Sequence, residues 1–100
     1  MTFATVGTLG ALPGKRDELV ALLTEHDESL VGAGCQAYEV GVDDAHPDTV
    51  FVVELWDSRE AHQASLALPA VRAAIDRARP LLDGTFGGHR FDVAGSPLRD

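Results

Sequence analysis

The sequence predicts an α+β fold of the ferredoxin-like type, in which a four-stranded antiparallel sheet carries both helical segments on one face. Two observations lead to this prediction. Segments typical of strands and of helices alternate along the chain in the order βαββαβ. The chain has 100 residues, of which 45% are hydrophobic and 24% charged, and this size and composition suit a single domain over residues 1–100.

The first strand is predicted over residues 3–12, where apolar side chains alternate imperfectly with Thr and Gly until Pro13 breaks the pattern. A helix is predicted from Lys15 to the glycine-containing segment 32–34, because apolar residues recur at helical spacing between these points. The residues at this spacing, one of them a histidine, are Leu19, Leu22, Leu23, His26 and Leu30.

The second and third strands are predicted over residues 35–42 and 49–56, and a polar turn that contains Pro47 joins them as an antiparallel hairpin. The third strand is apolar on both faces, which is typical of a strand buried on both sides. Its side chains divide into Val50 and Val52 on one face and Phe51, Val53 and Leu55 on the other.

The second helical segment is predicted to begin at Arg59, with Asp57 as its N-cap residue and Glu60 in capping-box spacing. Pro69 either kinks this helix or opens a second helical piece, since proline is tolerated at the first helical position. An apolar stripe follows the proline. It consists of Val71, Ile75, Ala78 and Leu82.

Asp83-Gly84 is predicted to end this helix, and the fourth strand is predicted over residues 85–93. His89 and Phe91 share one face of this strand, and Arg90 lies on the other. The tail from residue 94 to residue 100 is expected to be frayed.

The charge of the chain excludes two classes of partner. A net charge of -8 argues against a nucleic-acid surface and against docking on anionic lipid, since both need clustered cations.

No apolar run approaches the ~20 residues of a membrane span, and the N-terminal segment does not resemble a signal peptide. Cys35 is the only cysteine and is interpreted as a small buried hydrophobe. A cytoplasmic protein is the simplest inference.

The third strand also predicts how the chain associates. With both helical segments on one face of the sheet, the other face has no cover within the chain, although the third strand is apolar on both faces. An uncovered apolar sheet face is expected to be buried against a second copy. We therefore expect a homodimer joined through the sheet faces.

Three local strings, together with the order of the elements, resemble the antibiotic biosynthesis monooxygenase (ABM) family of dimeric α+β barrels. The strings are LPGKRDEL at 12–19, GCQAY at 34–38 and FVVELWDSREA at 51–61. The resemblance covers residues 3–93. The family includes small quinol and anthrone monooxygenases that use neither metal nor flavin, and the resemblance implies a pocket between the sheet and its own helices.

The resemblance also implies a histidine nine residues after the aromatic residue that ends the third strand. Counting from Trp56 reaches Ser65, so the chain departs from the family pattern at this point. His62 lies three residues earlier on nearly the same helix face and could take the place of the missing histidine. A related haem-degrading branch uses an asparagine with a tryptophan and a histidine, and this chain contains no asparagine.

Oxygenation without a cofactor requires a base that titrates near neutral pH, an apolar cavity and donors that hold an oxyanion. His62 is the candidate base, and the alternative is an exposed helix residue, which its polar neighbours in sequence favour. Trp56 could form a wall of the pocket and donate its indole N–H, or it could cap the core. Glu54, on the same strand face, is expected to pair with an arginine or else to have a raised pKa.

Three further residues are candidates for substrate binding. Ser65 could donate to a substrate oxygen, although a helical serine usually bonds to the backbone. His26, on the apolar stripe of the first helix, could face the pocket or be a satisfied core histidine. Tyr38 could direct its phenol into the pocket or simply pack in the core. For His89 the same two alternatives stand. The histidines lack ligand spacing and no cysteine pair exists, so no metal site is predicted.

The leading prediction is a small dimeric protein that oxygenates a reduced aromatic molecule, quinol-like or anthrone-like, with O2 and without a cofactor. His62 and Trp56 are its predicted catalytic residues. A non-catalytic small-molecule-binding or stress-related barrel protein competes with this prediction and is supported by Ser65. An isomerase of the muconolactone type, with a similar dimeric barrel, is a third possibility.

Overall fold

A computed structural model describes residues 1–99 and confirms the ferredoxin-like α+β fold. Two short helices stand where each helix was predicted, and a 3₁₀ turn, Arg79–Leu81, precedes the last strand. The elements are β1 (Phe3–Ala11), α1 (Arg16–Leu23), α2 (Glu28–Gly32), β2 (Cys35–Gly41), β3 (Thr49–Trp56), α3 (Arg59–Ser65), α4 (Pro69–Ala78) and β4 (Leu82–Asp92).

The four strands form one antiparallel sheet in the order β2-β3-β1-β4. Thr5 of β1 lies between Glu54 of β3 and Arg90 of β4, and Glu54 is also paired with Tyr38 of β2. Because residues at paired positions point to the same side, these four side chains share one face, here called the helix face because the helices pack on it. The opposite side is called the open face.

The hydrophobic core lies between the helix face and the helices. Its largest fully buried side chains are Trp56, Phe3, Leu19 and Val50, and burial of each stabilises the fold by about 1.5–3 kcal/mol. The open face remains apolar and partly accessible, since Val53 is 43% exposed and Phe91 is 45% exposed. The expectation of two apolar faces on the third strand is therefore met.

The prediction of one continuous first helix is wrong. The helix ends at Leu23, where the Thr24 hydroxyl donates to the Val20 carbonyl at 2.8 Å. The chain then restarts as α2, because the Asp27 carboxylate accepts from the backbone N–H of Ser29 at 3.0 Å and caps the new helix. His26 falls in this break rather than on the apolar stripe.

The predicted N-cap at Asp57 is also wrong by one residue. The Ser58 hydroxyl accepts from the backbone N–H of Ala61 at 3.0 Å and so begins α3, whereas Asp57 accepts from the Gln36 amide at 2.8 Å. Of the two alternatives at Pro69, the second is correct, because Pro69 occupies the first turn of a separate helix, α4.

The last helix ends earlier than predicted, and the last strand begins earlier. Pro80 cannot donate the backbone hydrogen bond that would continue α4, so the chain passes through the 3₁₀ turn and enters β4 at Leu82. Asp83-Gly84 therefore lies within the strand rather than at a helix end. There the Asp83 carboxylate accepts from the backbone N–H of Thr85 at 2.8 Å.

Residues 94–99 follow the sheet without a helix or a strand, and Asp100, the last residue of the predicted tail, lies outside the described residues. Val93 still donates its N–H to the Thr2 carbonyl at 2.8 Å, which ties the end of β4 to the start of β1. Among the helices of residues 1–99, none has the length and apolar character needed to cross a bilayer.

Candidate functional site

A cavity of about 1190 Å³ lies between the helix face of the sheet and the helices. β1, β3 and β4 form its floor, α4 covers it, and the break between α1 and α2 contributes to its rim. Such a volume is large enough for a multi-ring organic molecule. The cavity is where the family resemblance implied a pocket.

His62 is a buried histidine that borders this cavity. Its residue exposure is only 7%, and its ring lies between Trp56, 5.4 Å away between ring centroids, and Phe3, 5.5 Å away. Within residues 1–99 the ring nitrogens of His62 make no hydrogen bond, and neither of them is fully shielded from solvent. The ring nitrogens are therefore accessible, and His62 borders the cavity.

The surroundings of His62 lower the pKa of its imidazole. Burial is the largest cause, because it disfavours the charged ring; the Glu54 carboxylate acts in the opposite direction, and Arg90 lowers the pKa further. His62 is therefore neutral at neutral pH and able to accept a proton. The expectation that His62 is exposed to solvent is wrong, because α3 turns this residue inwards onto Phe3 and Trp56.

Glu54 presents its carboxylate to the same cavity. One oxygen accepts from the Trp56 indole N–H at 3.0 Å, and the other accepts from the Thr5 hydroxyl at 3.2 Å. The expected pairing with an arginine is not found among residues 1–99; two neutral donors hold the carboxylate instead.

The structure does not bring Trp56 and Ser65 to the cavity. The Trp56 side chain is 1% exposed, and Glu54 takes its N–H, so the indole supports the site from behind instead of forming a wall. The Ser65 hydroxyl donates to the His62 carbonyl at 2.6 Å and is buried, so it is not available to a substrate. Trp56 is therefore a core residue, and Ser65 is a helical serine that bonds to the backbone.

Tyr38 borders the cavity beside Glu54. Burial, and then the negative charge of Glu54, raises the pKa of its phenol to about 12. Tyr38 therefore stays protonated at neutral pH and can donate a hydrogen bond. Cys35, on the same strand, is partly buried, and burial raises the pKa of its thiol, in keeping with an unreactive cysteine.

The two other candidate histidines, His26 and His89, do not join this group. The side chain of His26 is 81% exposed at the rim, with Nε2 3.5 Å from a Glu28 oxygen. It is not a satisfied core histidine. His89 also lies along the cavity, but its pairing with Val6 assigns its side chain to the open face of the sheet.

Sequence reasoning missed Thr5, Phe86 and Arg90 as residues that border the cavity. The only signal available was alternation along β4, which placed Arg90 opposite His89 and Phe91. Without the pairing of β4 with β1, that alternation did not tell which face met the helices. Within residues 1–99, no cluster of three or more His, Cys, Asp or Glu side chains is arranged to hold a metal ion.

The sequence model of the family described as antibiotic biosynthesis monooxygenase matches residues 2–77 of the chain. No curated protein matches the chain.

Solved structures show the same fold. A protein of Chloroflexus aurantiacus J-10-fl, provisionally assigned as an antibiotic biosynthesis monooxygenase, is 38% identical, with a TM-score of 0.83 and 96% of each chain covered. A Deinococcus radiodurans protein with the same provisional assignment is 28% identical, with a TM-score of 0.77, covering 96% of this chain and 95% of that one. Rv0793 of Mycobacterium tuberculosis, at 18% identity and a TM-score of 0.75, covers 97% and 99% and is similar in fold.

Proposed function

This chain belongs to the antibiotic biosynthesis monooxygenase family, and we propose that it oxygenates a reduced aromatic molecule with O2 and without a cofactor. The observation that carries the proposal is His62, a buried histidine with a lowered pKa that borders a large cavity. A neutral imidazole at the wall of an apolar cavity is what a base needs in order to deprotonate a weakly acidic ring.

The proposed reaction converts an activated ring CH2, as in an anthrone, into a carbonyl. His62 accepts a proton from this carbon, and the resulting anion passes one electron to O2. The carbon radical and superoxide combine, and protonation gives a hydroperoxide. Loss of water from the hydroperoxide leaves the carbonyl, so one oxygen atom enters the product and the other enters water. Four electrons leave the substrate carbon, which balances the reduction of O2.

Three neighbouring residues support this step in the proposal. The Tyr38 phenol, protonated at neutral pH, donates to the oxyanion that develops on the ring. The Glu54 carboxylate favours the protonated imidazole that forms at His62. Trp56 is a positioning residue, because it holds Glu54 by its N–H and packs edge-on against His62.

Oxygen uptake with a panel of hydroquinones and anthrones, in chelator-treated buffer, tests the proposal. The variant His62→Phe keeps a ring between Phe3 and Trp56 but removes the base, and it is expected to lose at least about 100-fold in turnover. The matched control is His46→Phe, which changes a histidine with a 61% exposed side chain outside the cavity. Turnover by His62→Phe at the rate of the unmodified protein would refute the role of His62.

The same panel separates the alternative functions. Saturable binding without oxygen uptake would replace the oxygenase with a small-molecule-binding protein. Lactone conversion without oxygen uptake would indicate the isomerase. A cytoplasmic location stays a prediction from the sequence.

We also propose that the open face is covered by a second copy of this chain. Its accessible part includes the apolar side chains of Val53 and Phe91, and an isologous contact lets the same patch cover itself. Val53→Asp is expected to shift the chain from dimer to monomer in analytical ultracentrifugation at micromolar concentration. The control Val31→Asp, at a 73% exposed valine of α2, is expected to leave the dimer intact. A monomer in the unmodified protein would refute the proposal.

A further inference from the structure

The floor of the cavity carries no side chain at one point between β1 and β4, where two glycines line it. Gly7 and Gly88 are paired across these strands. A Cβ on Gly88, whose φ is +129°, would collide with the Val6 carbonyl oxygen, and a Cβ on Gly7 would lie 3.1 Å from the Gly87 carbonyl oxygen. Bare backbone at both positions leaves a surface on which a planar ring system can lie.

Two different side chains mark the ends of this glycine floor on β4. Phe86 lies two residues before Gly88 and Arg90 two residues after it, on the same face, with their Cα atoms about 13 Å apart by strand geometry. Phe86 is 65% exposed although it borders the cavity, so its ring is free to pack on a ligand. The floor therefore has an aromatic end and a cationic end.

Arg90 differs from the other arginines that border the cavity. Arg77 is held by both oxygens of Glu25, at 2.8 Å each, and Arg79 is paired with Asp76 at 2.9 Å. Within residues 1–99, no carboxylate lies within ion-pair distance of Arg90; Asp92, the next acidic residue on its face, is paired with Arg59 at 3.5 Å. In a chain of net charge -8, an arginine that borders a cavity and has no ionic partner among the described residues is open to an anionic ligand.

We propose that Arg90 recognises an anionic substituent of the ligand, so that the preferred ligands are planar aromatic molecules that carry a carboxylate. The ring system lies on the glycine floor against Phe86, and the carboxylate meets the Arg90 guanidinium. Glu54 lies on the far side of Thr5 from Arg90, so its negative charge directs the anionic end of the ligand towards β4. This inference deepens the proposed function by naming the substrate class of the same cavity.

The test uses 2-naphthoate and 2-naphthamide, which have the same planar rings and differ in charge, and neither serves as an oxygenase substrate. Isothermal titration calorimetry of the whole protein at neutral pH and low salt is expected to show about tenfold tighter binding of the naphthoate. Arg90→Gln removes the charge and is expected to abolish the preference while leaving the affinity for the amide unchanged. Arg90→Lys is expected to keep part of the preference.

The matched control is Arg72→Gln, which removes an exposed arginine of α4 that does not border the cavity and is expected to keep the full preference. Equal affinities for the two ligands, no measurable binding of either, or a preference that survives Arg90→Gln would overturn the inference. Binding is measured without turnover. A protein that prefers the naphthoate but shows no oxygen uptake would therefore refute only the proposed oxygenation. A protein that takes up oxygen but shows no preference for the naphthoate would refute only the role of Arg90.

Discussion

The hydrogen bond between Trp56 and Glu54 is expected to stabilise the fold as well as to position the site. Trp56→Phe removes the N–H that Glu54 accepts at 3.0 Å and trims a fully buried ring. The lost hydrogen bond to a partly buried carboxylate costs about 1.5 kcal/mol, and the space left in the core costs about 1–2 kcal/mol. The free energy of unfolding is therefore expected to fall by about 3 kcal/mol, which lowers Tm by about 12–24 °C.

A double-mutant cycle isolates the hydrogen bond from the cavity. Trp56→Phe, Glu54→Ala and the double variant are unfolded in urea at one protein concentration and followed by far-UV circular dichroism, because the variants with phenylalanine lose the only tryptophan. The expected coupling energy is about 1.5 kcal/mol. The control cycle uses Glu60→Ala, an exposed residue of α3, and is expected to show no coupling beyond about 0.3–0.5 kcal/mol. A Trp56–Glu54 coupling within that same range would refute the reasoning.

Three further predictions follow from single side chains. Folding lowers the pKa of His62 from 6.5, so the unfolded chain takes up the proton first as pH falls. The contribution of neutral His62 to stability is therefore full above pH 6.5 and declines as pH falls towards the folded pKa. His62→Phe should remove this part of the pH dependence of stability in urea titrations. Ser58→Ala should cost about 1 kcal/mol through the lost cap in the same unfolding assay, and Asp57→Ala should cost less. Gly88→Ala should lower Tm sharply in thermal scans, because its Cβ would collide with the backbone of β1; an unchanged Tm would contradict the close approach.

The sequence was informative where local chemistry decides the structure. β3 has the predicted bounds, because an apolar run between a Pro-containing turn and a helix cap leaves little freedom. Pro69 opens α4 because its ring suits the first helical turn. The break before α2 was missed because apolar spacing continues through it, and only the Asp27 cap interrupts the helix.

The burial of His62 could not be derived from its neighbours in sequence. Arg59, Glu60 and Gln63 are polar and exposed, so a local view places the whole first turn of α3 in solvent. What buries the imidazole is a contact across the fold, with Phe3, which lies 59 positions away in the printed sequence. The same limit applies to Arg90, whose face is decided by its pairing with Thr5.

The candidate site is a consequence of strand register. Phe3 is paired with Trp56, and Thr5 with Glu54, so these side chains share one face of β1 and β3. This face supplies the two aromatic rings that pack against His62 and the two groups that donate hydrogen bonds to the Glu54 carboxylate. A slip of one residue between β1 and β3 would turn Phe3 and Thr5 to the open face and separate all of these groups. The burial of Phe3 and Trp56 in the core resists that slip, so the residues that stabilise the sheet also hold the chemistry in place.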